Sequence, residues 1–394
     1  MLALALHARG RRATVIDPAG LSSSPNTLCA FADQVPVAFR AEEFPTTVVV
    51  TEEGELDLHR AYARIDTARL ARDAAGVVDV AIDHVNGSSD DGRLVRTGRG
   101  TFDAGVIVDI SGHRPLLVAR EQGTQTMQSA FGLIVRGVDD ALPPGTALFM
   151  DWRSSGVDDG GPPSFLYALS GSDGRLLLEE TTLASSAPVS AALLKRRLAA
   201  RLRRRGTRID VVVDEEHVAF SMGAGLPRRR QAVAAFGAAA GLVQPVSGYS
   251  IARAFAAAPA VAAAIDAGMG REAAPIDIAD DVNEALWPPP ARDVRRLQRF
   301  GLSALCAFDA AENNAFFAAF FSLPADQWRG YLDGDADVTA IRATMWRLFR
   351  AVPARIRRRL VTGARFTDTV DALLSTTLQM FRRPRAASVE GGRP

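Results

Sequence analysis

Two adjacent glutamates, Glu179 and Glu180, sit in the run Leu176-Leu-Leu-Glu-Glu-Thr-Thr-Leu183. Successive side chains on a strand point to opposite faces, so only one of the pair can face a given pocket. A carboxyl set among that much hydrocarbon has a raised pKa and can keep its proton at neutral pH. That is the state a general acid needs. The alternative is two solvated glutamates on an edge strand, the commoner fate of such residues. A second stretch, 236–253, is rich in glycine and alanine. Gly237, Gly241 and Gly248 allow close backbone approach, and the apolar start predicts a helix N-terminus able to meet a phosphate or a flavin ring oxygen. The same pattern also suits a helix packed tightly on a neighbour. Asp280-Asp281-x-x-Glu284 resembles a metal-diphosphate motif, but its expected role is acidic helix capping ahead of Trp287. The five histidines show no i, i+4 pairing and Cys29 lies far from Cys306, so no metal site is expected. No Gly-x-Ser-x-Gly nucleophile motif is found.

The elements around these residues begin with a helix over 1–9, a stop at Gly10, and a strand over 11–17 that ends in Asp17. Helix, glycine and acid-terminated strand form the second half of a dinucleotide-binding βαβ unit. The first strand and its Gly-x-Gly-x-x-Gly loop do not precede it; Gly98-Arg-Gly100 and Gly223-Ala-Gly225 read as turns. A start codon further upstream is the simpler expectation. Strands are predicted at 46–51 and 77–82 with a helix over 61–75 between them, and one buried strand over 101–112. A hairpin is predicted over 164–184, turning at Gly171-Ser-Asp-Gly174. A basic helix over 190–205 follows, then a Gly/Ala-rich turn and helix, then helices from 280 to about 380.

Composition narrows the class. The 394 residues suit two domains, and 47% apolar with 23% charged residues is ordinary for a globular chain. Forty-six basic against forty-five acidic side chains exclude a nucleic-acid binder driven by net charge. The basic residues are one lysine, Lys195, and otherwise arginine, a skew expected of a GC-rich genome. Two cysteines make no disulfide framework, so a reducing cytoplasm is expected. No apolar run long enough for a membrane span is evident, and the first residues lack a signal peptide's basic start. From Arg342 onward, twelve arginines face Asp368, Asp371 and Glu390, with Trp346, Leu348, Phe349 and Ile356 interleaved. That pattern suits a helix on an anionic membrane surface, or an amphipathic helix with a solvated arginine face.

Several motifs in order resemble the flavoprotein lycopene cyclases of the plant and bacterial type. Leu178-Glu-Glu-Thr181 resembles their F-L-E-E-T, Met150-Asp-Trp-Arg153 their M-D-W-R, and Phe165-Leu-Tyr167 the strand before the glutamates. Met222-Gly223 with Leu226-Pro227, Gly241 to Tyr249, Ala252-Arg253 and Leu286-Trp-Pro288 are similar to later motifs, and the likeness runs from Ala13 to about 360. It implies an α/β fold: a Rossmann-like, glutathione-reductase-type FAD domain lacking its first strand and Gly-rich loop, a β-sheet substrate domain and a helical C-terminal part. The expected divisions are 1–112 for FAD, 113–208 for substrate, 209–265 returning to FAD, 266–380 helical, and 381–394 a disordered tail.

The resemblance also implies closure of lycopene ends to β-ionone rings without net redox change. It makes Glu180 the acid and Glu179 its support. Asp17 would hold the adenosine ribose, while Asp109, Gly112, Gly237 and Gly241 would lie along the flavin. Asp151, Trp152, Tyr167 and Tyr249 would meet the substrate. The implied cofactor is reduced FAD with NAD(P)H as electron source, and the implied partners are an acyclic carotene and the membrane surface. A cytoplasmic protein peripheral to the inner face of the membrane is expected. Gln244 replaces a usual histidine, Thr67 an arginine and Ser24 a tryptophan. A redox flavoprotein of the same fold, such as a polyprenyl reductase or monooxygenase, and a non-catalytic carotenoid binder are the rival readings.

Overall fold

The computed structural model describes residues 1–138, 142–334 and 336–362. Its largest element is a seven-stranded sheet whose order places Ile209–Ser221 at one edge, followed by Met127–Val138, Leu176–Ser185, Phe165–Ser170, Thr146–Asp151, Thr46–Thr51 and Gly54–Asp57. The pairs are antiparallel except Thr146–Asp151 with Thr46–Thr51, which run parallel. The predicted hairpin is present: Phe165 pairs with Thr181 and Ser170 with Leu176, across a turn where Gly174 takes φ +74°.

Side-chain alternation gives this sheet two apolar faces. Leu176 and Leu178 join Leu194, Leu198 and Leu202 of the helix Ala191–Arg205, which covers one face. Leu177 and Leu183 join Phe149, Phe317, Phe321 and Trp328 on the other, where the C-terminal helices pack. Ser190 caps the basic helix by accepting from Leu193 N–H, and Gly206 ends it in the left-handed conformation. Asp309 and Glu312 form a capping box on the phenylalanine-rich helix Ala310–Phe321.

The second half of the molecule is built on parallel strands. Thr14–Ile16 pairs with Asp79–Ala81, and Ile107–Asp109 with Val233–Ala235. These are two separate ladders rather than one continuous sheet. Leu2–His7, Ile251–Gly270 and Pro275–Leu286 surround them, and fully buried Trp287 completes that core.

Several expectations change. Residues 61–75 are a strand, Tyr62–Ile65, and then a helix, Thr67–Ala75, because Tyr62–Ile65 is captured between Cys29–Phe31 and Arg40–Phe44. The single strand expected over 101–112 is two, in different sheets, broken at Ala104-Gly105. The Gly/Ala stretch opens no helix near 237; it is a run of turns, and the helix begins at Ile251. That helix is long and apolar enough to cross a membrane by length and composition, interrupted by Arg253 and Asp266. Here it packs as a core helix through Ala254, Ala258, Val261 and Ile265. Asp280, Asp281 and Glu284 do not cap a helix start. They pair with Arg230, Arg271 and Arg229 along the surface of Pro275–Leu286. Strands 46–57 and 209–221, expected with the FAD-binding region, belong to the seven-stranded sheet. The tail 381–394 and the helix expected over 363–380 lie outside the described residues.

Candidate active site

The two glutamates leave their strand on opposite faces, into opposite chemistry. Glu180 is fully buried under the basic helix. Arg201 donates to both of its oxygens at 2.8 Å, and Ser164 Oγ donates at 2.6 Å. Arg201 is the middle of a ladder at i, i+4 and i+8: Arg197 pairs with Asp159 and Arg205 with Asp151. A carboxylate gripped on both oxygens is fully used as an acceptor. The sequence likeness made Glu180 the acid; in the structure it lines neither cavity but sits directly behind Ser164, a wall residue of the larger cleft, as the anchor of a helix.

Glu179 faces the other way, into a half-open cavity of about 480 Å³. Cys29, Tyr62, Phe149, Tyr167 and Tyr249 line it with Leu177, Thr181 and Leu183. Among the described residues the only hydrogen bond to the Glu179 carboxyl comes from Thr181 Oγ1 at 2.5 Å, and no basic side chain pairs with it. Burial pushes its pKa from 4.5 up to about 7, with the carboxylate of Glu216 adding to the rise and Thr181 opposing it. The neighbouring groups stay neutral across that range: burial lifts the Cys29 thiol to about 12 and drives Tyr62, Tyr167 and Tyr249 upward. The hydroxyls of Tyr62 and Tyr249 meet at 2.5 Å, and the Tyr62 ring stands edge-on to Phe149 and Tyr167.

Of the four residues expected to touch substrate, Tyr167 and Tyr249 line this cavity. Asp151 does not; it is buried and paired with Arg153 and Arg205. Trp152 stands next door, stacked on Phe317 with ring centroids 4.8 Å apart and close to Phe165. It forms part of a second, open cleft of about 940 Å³ whose other walls include Ser155, Ser185 and Phe308. Among the described residues its indole N–H has no acceptor.

The expected flavin residues divide similarly. Asp17 closes its strand, with Oδ1 accepting from Ala19 N–H. Both oxygens of Asp109 are consumed by Ser111, Leu117 and Val118, so it braces a loop. Gly112 lines the cavity, and a Cβ there or at Gly237 would meet nothing within 4 Å. Gly237 and Gly241, at φ +63° and +78°, bracket a tight turn. The carbonyls of Ala238 and Ala239 accept from Arg120, that of Ala240 from Trp287 and that of Val243 from Arg295. With those oxygens held from behind, Ala238, Val243 and Gly248 present a small-residue wall to the cavity. This wall fits a flat ring, whereas the sequence holds no Gly-x-Gly-x-x-Gly cradle for a pyrophosphate. Gln244, in place of the usual histidine, is buried and ties Val246, Ser247 and Tyr331 together. Thr67 Oγ1 accepts from Ser24 N–H, joining the two other departures. Among the described residues no histidine, cysteine and carboxylate group could hold a metal ion.

Glu216 was not singled out in the sequence, where it sits in the charged run Asp214-Glu-Glu-His217 of an edge strand. It is nevertheless buried, and only its register beside Gly132 and its contact with Thr27 reveal it.

The sequence profile of the lycopene cyclase protein family matches residues 37–357. The chain belongs to the lycopene cyclase family. It is 34% identical over 375 residues to an uncharacterised carotenoid cyclase of Deinococcus radiodurans, covering 92% of this chain and 90% of that one. It is 33% identical over 262 residues to the lycopene beta cyclase of Synechococcus elongatus, covering 65% of this chain and 64% of that one. In fold it is similar to a geranylgeranyl bacteriochlorophyll reductase-like protein of Thermoplasma acidophilum, with a TM-score of 0.63 and 12% identity over 91% of this chain and 94% of that one. A flavoprotein/dehydrogenase of Cytophaga hutchinsonii gives 0.55 at 11% identity, covering 84% and 89%. The mixed α/β architecture is therefore that of flavoprotein-like folds.

The arginine ladder makes a stability prediction. Arg201→Ala strands a buried carboxylate and should cost about 3–5 kcal/mol. Replacing Glu180 and Arg201 together by leucines should cost much less than Arg201→Ala alone. Urea denaturation of both variants checks this; equal losses would show that the charge pair is not what holds the helix.

Proposed function

We propose that this chain is a lycopene β-cyclase that closes an end of an acyclic carotene by adding and removing a proton, without net redox change. The observation behind this reading is Glu179: a half-buried carboxyl whose pKa is raised to about 7, on the wall of an aromatic cavity. In this scheme Glu179 O–H gives its proton to the terminal C=C, whose electrons form the new C–H bond and leave a tertiary cation. The internal alkene attacks that cation to close the ring, and the Glu179 carboxylate takes back a proton from the carbon next to the resulting ring cation, whose C–H electrons form the ring double bond and restore the acid. The rings of Tyr62, Tyr167, Tyr249 and Phe149 offer electron-rich faces to the positive charge. Water, which would otherwise hydrate the cation, must be displaced when substrate and cofactor fill the cavity. The hydroxyls of Tyr62 and Tyr249 are held together by one hydrogen bond.

FAD, in its reduced form and supplied with electrons from NAD(P)H, is the cofactor we assign. Bound, it would supply an electron-rich ring near the cation. Gly112, Ala238, Val243 and Gly248 would hold that ring, and Asp17 the ribose. The substrate is longer than the cavity. At roughly 30 Å³ per heavy-atom group, the share a water takes in the liquid, forty carbons need on the order of 1,200 Å³. We place the rest of the polyene in the open cleft beyond Trp152 and Phe165, which follows the cavity along the same strands.

We further propose a cytoplasmic protein peripheral to the inner face of the membrane, where its substrate dissolves. Much of the arginine-rich segment is tied to its own domain: Arg355 and Arg359 pair with Glu312, and Leu348, Val352 and Ile356 are buried. The docking face is narrower, the exposed Trp346 stacked on Phe349 with Arg347 and Arg350 beside them.

Glu179→Gln should abolish ring formation in a lycopene-accumulating host, read by product chromatography, and retained β-rings would sink the assignment. In vitro, activity should be full well below pH 7 and fall as pH rises through about 7, because the raised pKa sets where the donor loses its proton. For the membrane, Trp346→Ala combined with Arg350→Glu should reduce sedimentation with anionic phospholipid vesicles several-fold. Unchanged sedimentation would return this helix to a purely intramolecular role.

A further inference from the structure

The Glu179 carboxyl has a partner that the reaction scheme above does not use. On the central strand, Gly132 is in register with Glu179 on one side and with Glu216 on the other. Residues in register across a sheet share a face, so both glutamates stand on the cavity side with only a glycine between them. A Cβ on Gly132 would lie 3.5 Å from Cβ and Cγ of Glu179, so the missing side chain is what opens the space between the carboxyls. Glu216 is 4% exposed and, among the described residues, no ion pair with a basic side chain is found for it. Its oxygens accept from Thr27 N–H at 2.9 Å and Thr27 Oγ1 at 2.6 Å, and Thr27 itself lines the cavity. Two donors and no cation make an unneutralised negative charge, fixed in place beside the acid.

We propose that Glu216 is a positioning residue for proton donation: its carboxylate, pinned by Thr27 across Gly132, keeps the proton on Glu179 until an alkene takes it. The inference rests on Glu179 being the donor. The other groups around Glu179 do not substitute for this effect. Cys29, Tyr62, Tyr167 and Tyr249 line the cavity around it as neutral groups, and Thr181 favours the ionised form. His113 lines the cavity from the loop after Gly112, and burial lowers its pKa toward the neutral form. Arg64 reaches only as far as Cys29 and is paired with Glu42. His217, one residue on, also borders the cavity, but its ring meets Phe131, which is in register with Glu180, and its Nε2 lies 3.9 Å from Glu215. Glu216 is thus the charged group acting on the donor.

The function of such a charge is to match the acid to its working pH. A carboxyl with an ordinary pKa would be almost wholly ionised at neutrality, and a far weaker acid would not protonate an alkene. Glu216→Gln removes the charge but keeps the shape and one acceptor. The alkaline limb of the activity profile should then move down, by only part of the rise from 4.5 to about 7 because burial is the larger cause. The low-pH plateau should not fall, since the protonated donor is now the stronger acid. Thr27→Val, which keeps both glutamates and loosens Glu216, should move the limb the same way by less. Glu216→Asp should restore part of the shift.

The test is infrared titration of substrate-free protein, with the Glu179 carboxyl band identified by its loss in Glu179→Gln, run beside the activity profile. A band and a limb that both move down in Glu216→Gln support the proposal. A band that stays put in both Glu216→Gln and Thr27→Val overturns it. A band that moves while the limb does not would overturn Glu179 as the donor, and with it the role of Glu216, although not the electrostatic pair.

Discussion

The structure depends on one buried ion pair. Arg201 grips Glu180 from the basic helix, and the strand's alternation then turns Glu179 to the opposite face. Two adjacent carboxyls would both be costly to bury, and they are handled in opposite ways. One is fully compensated by a guanidinium and a serine and becomes structural. The other receives only one hydroxyl and in our reading is left protonated, a group with a proton to give. The arginine ladder of 197, 201 and 205 extends the same device to Asp159 and Asp151, fixing the loop that lines the larger cleft.

The cavity suits a cation that lasts only briefly. Its polar groups are weak acids held neutral by burial, and one hydrogen bond joins the hydroxyls of Tyr62 and Tyr249. Its walls are aromatic. The small-residue wall at 237–248 leaves room for a flat ring. Our account assigns the negative charge near the reaction to Glu216, recessed behind Thr27.

Much of this was legible in the sequence. The hairpin, its turn at 171–174, the basic helix and the parallel strands at 14–16 and 79–81 follow from local patterns and are present. The motif order pointed to the family. The choice between the twin glutamates was not legible, because it depends on which face the basic helix covers, and the deciding partner lies 21 residues away. Matching letters favoured Glu180; packing favours Glu179. Glu216 was hidden by its charged neighbours, since only pairing beside a glycine buries it. Residues 62–65 read as helix until two other strands capture them, a tertiary contest that propensity cannot decide. The Gly/Ala stretch failed for a related reason. Arg120, Trp287 and Arg295 take the carbonyls a helix would have used.

The central claim is that Glu179, and not Glu180, presents its proton to the substrate. An acyclic carotene carrying a terminal epoxide tests this most directly. Protonation opens the epoxide to a tertiary cation, which the carboxylate left behind captures as an ester. Peptide mapping by tandem mass spectrometry should place the adduct on Glu179. An adduct on Glu180, or on another residue with Glu179 unmodified, would contradict the account.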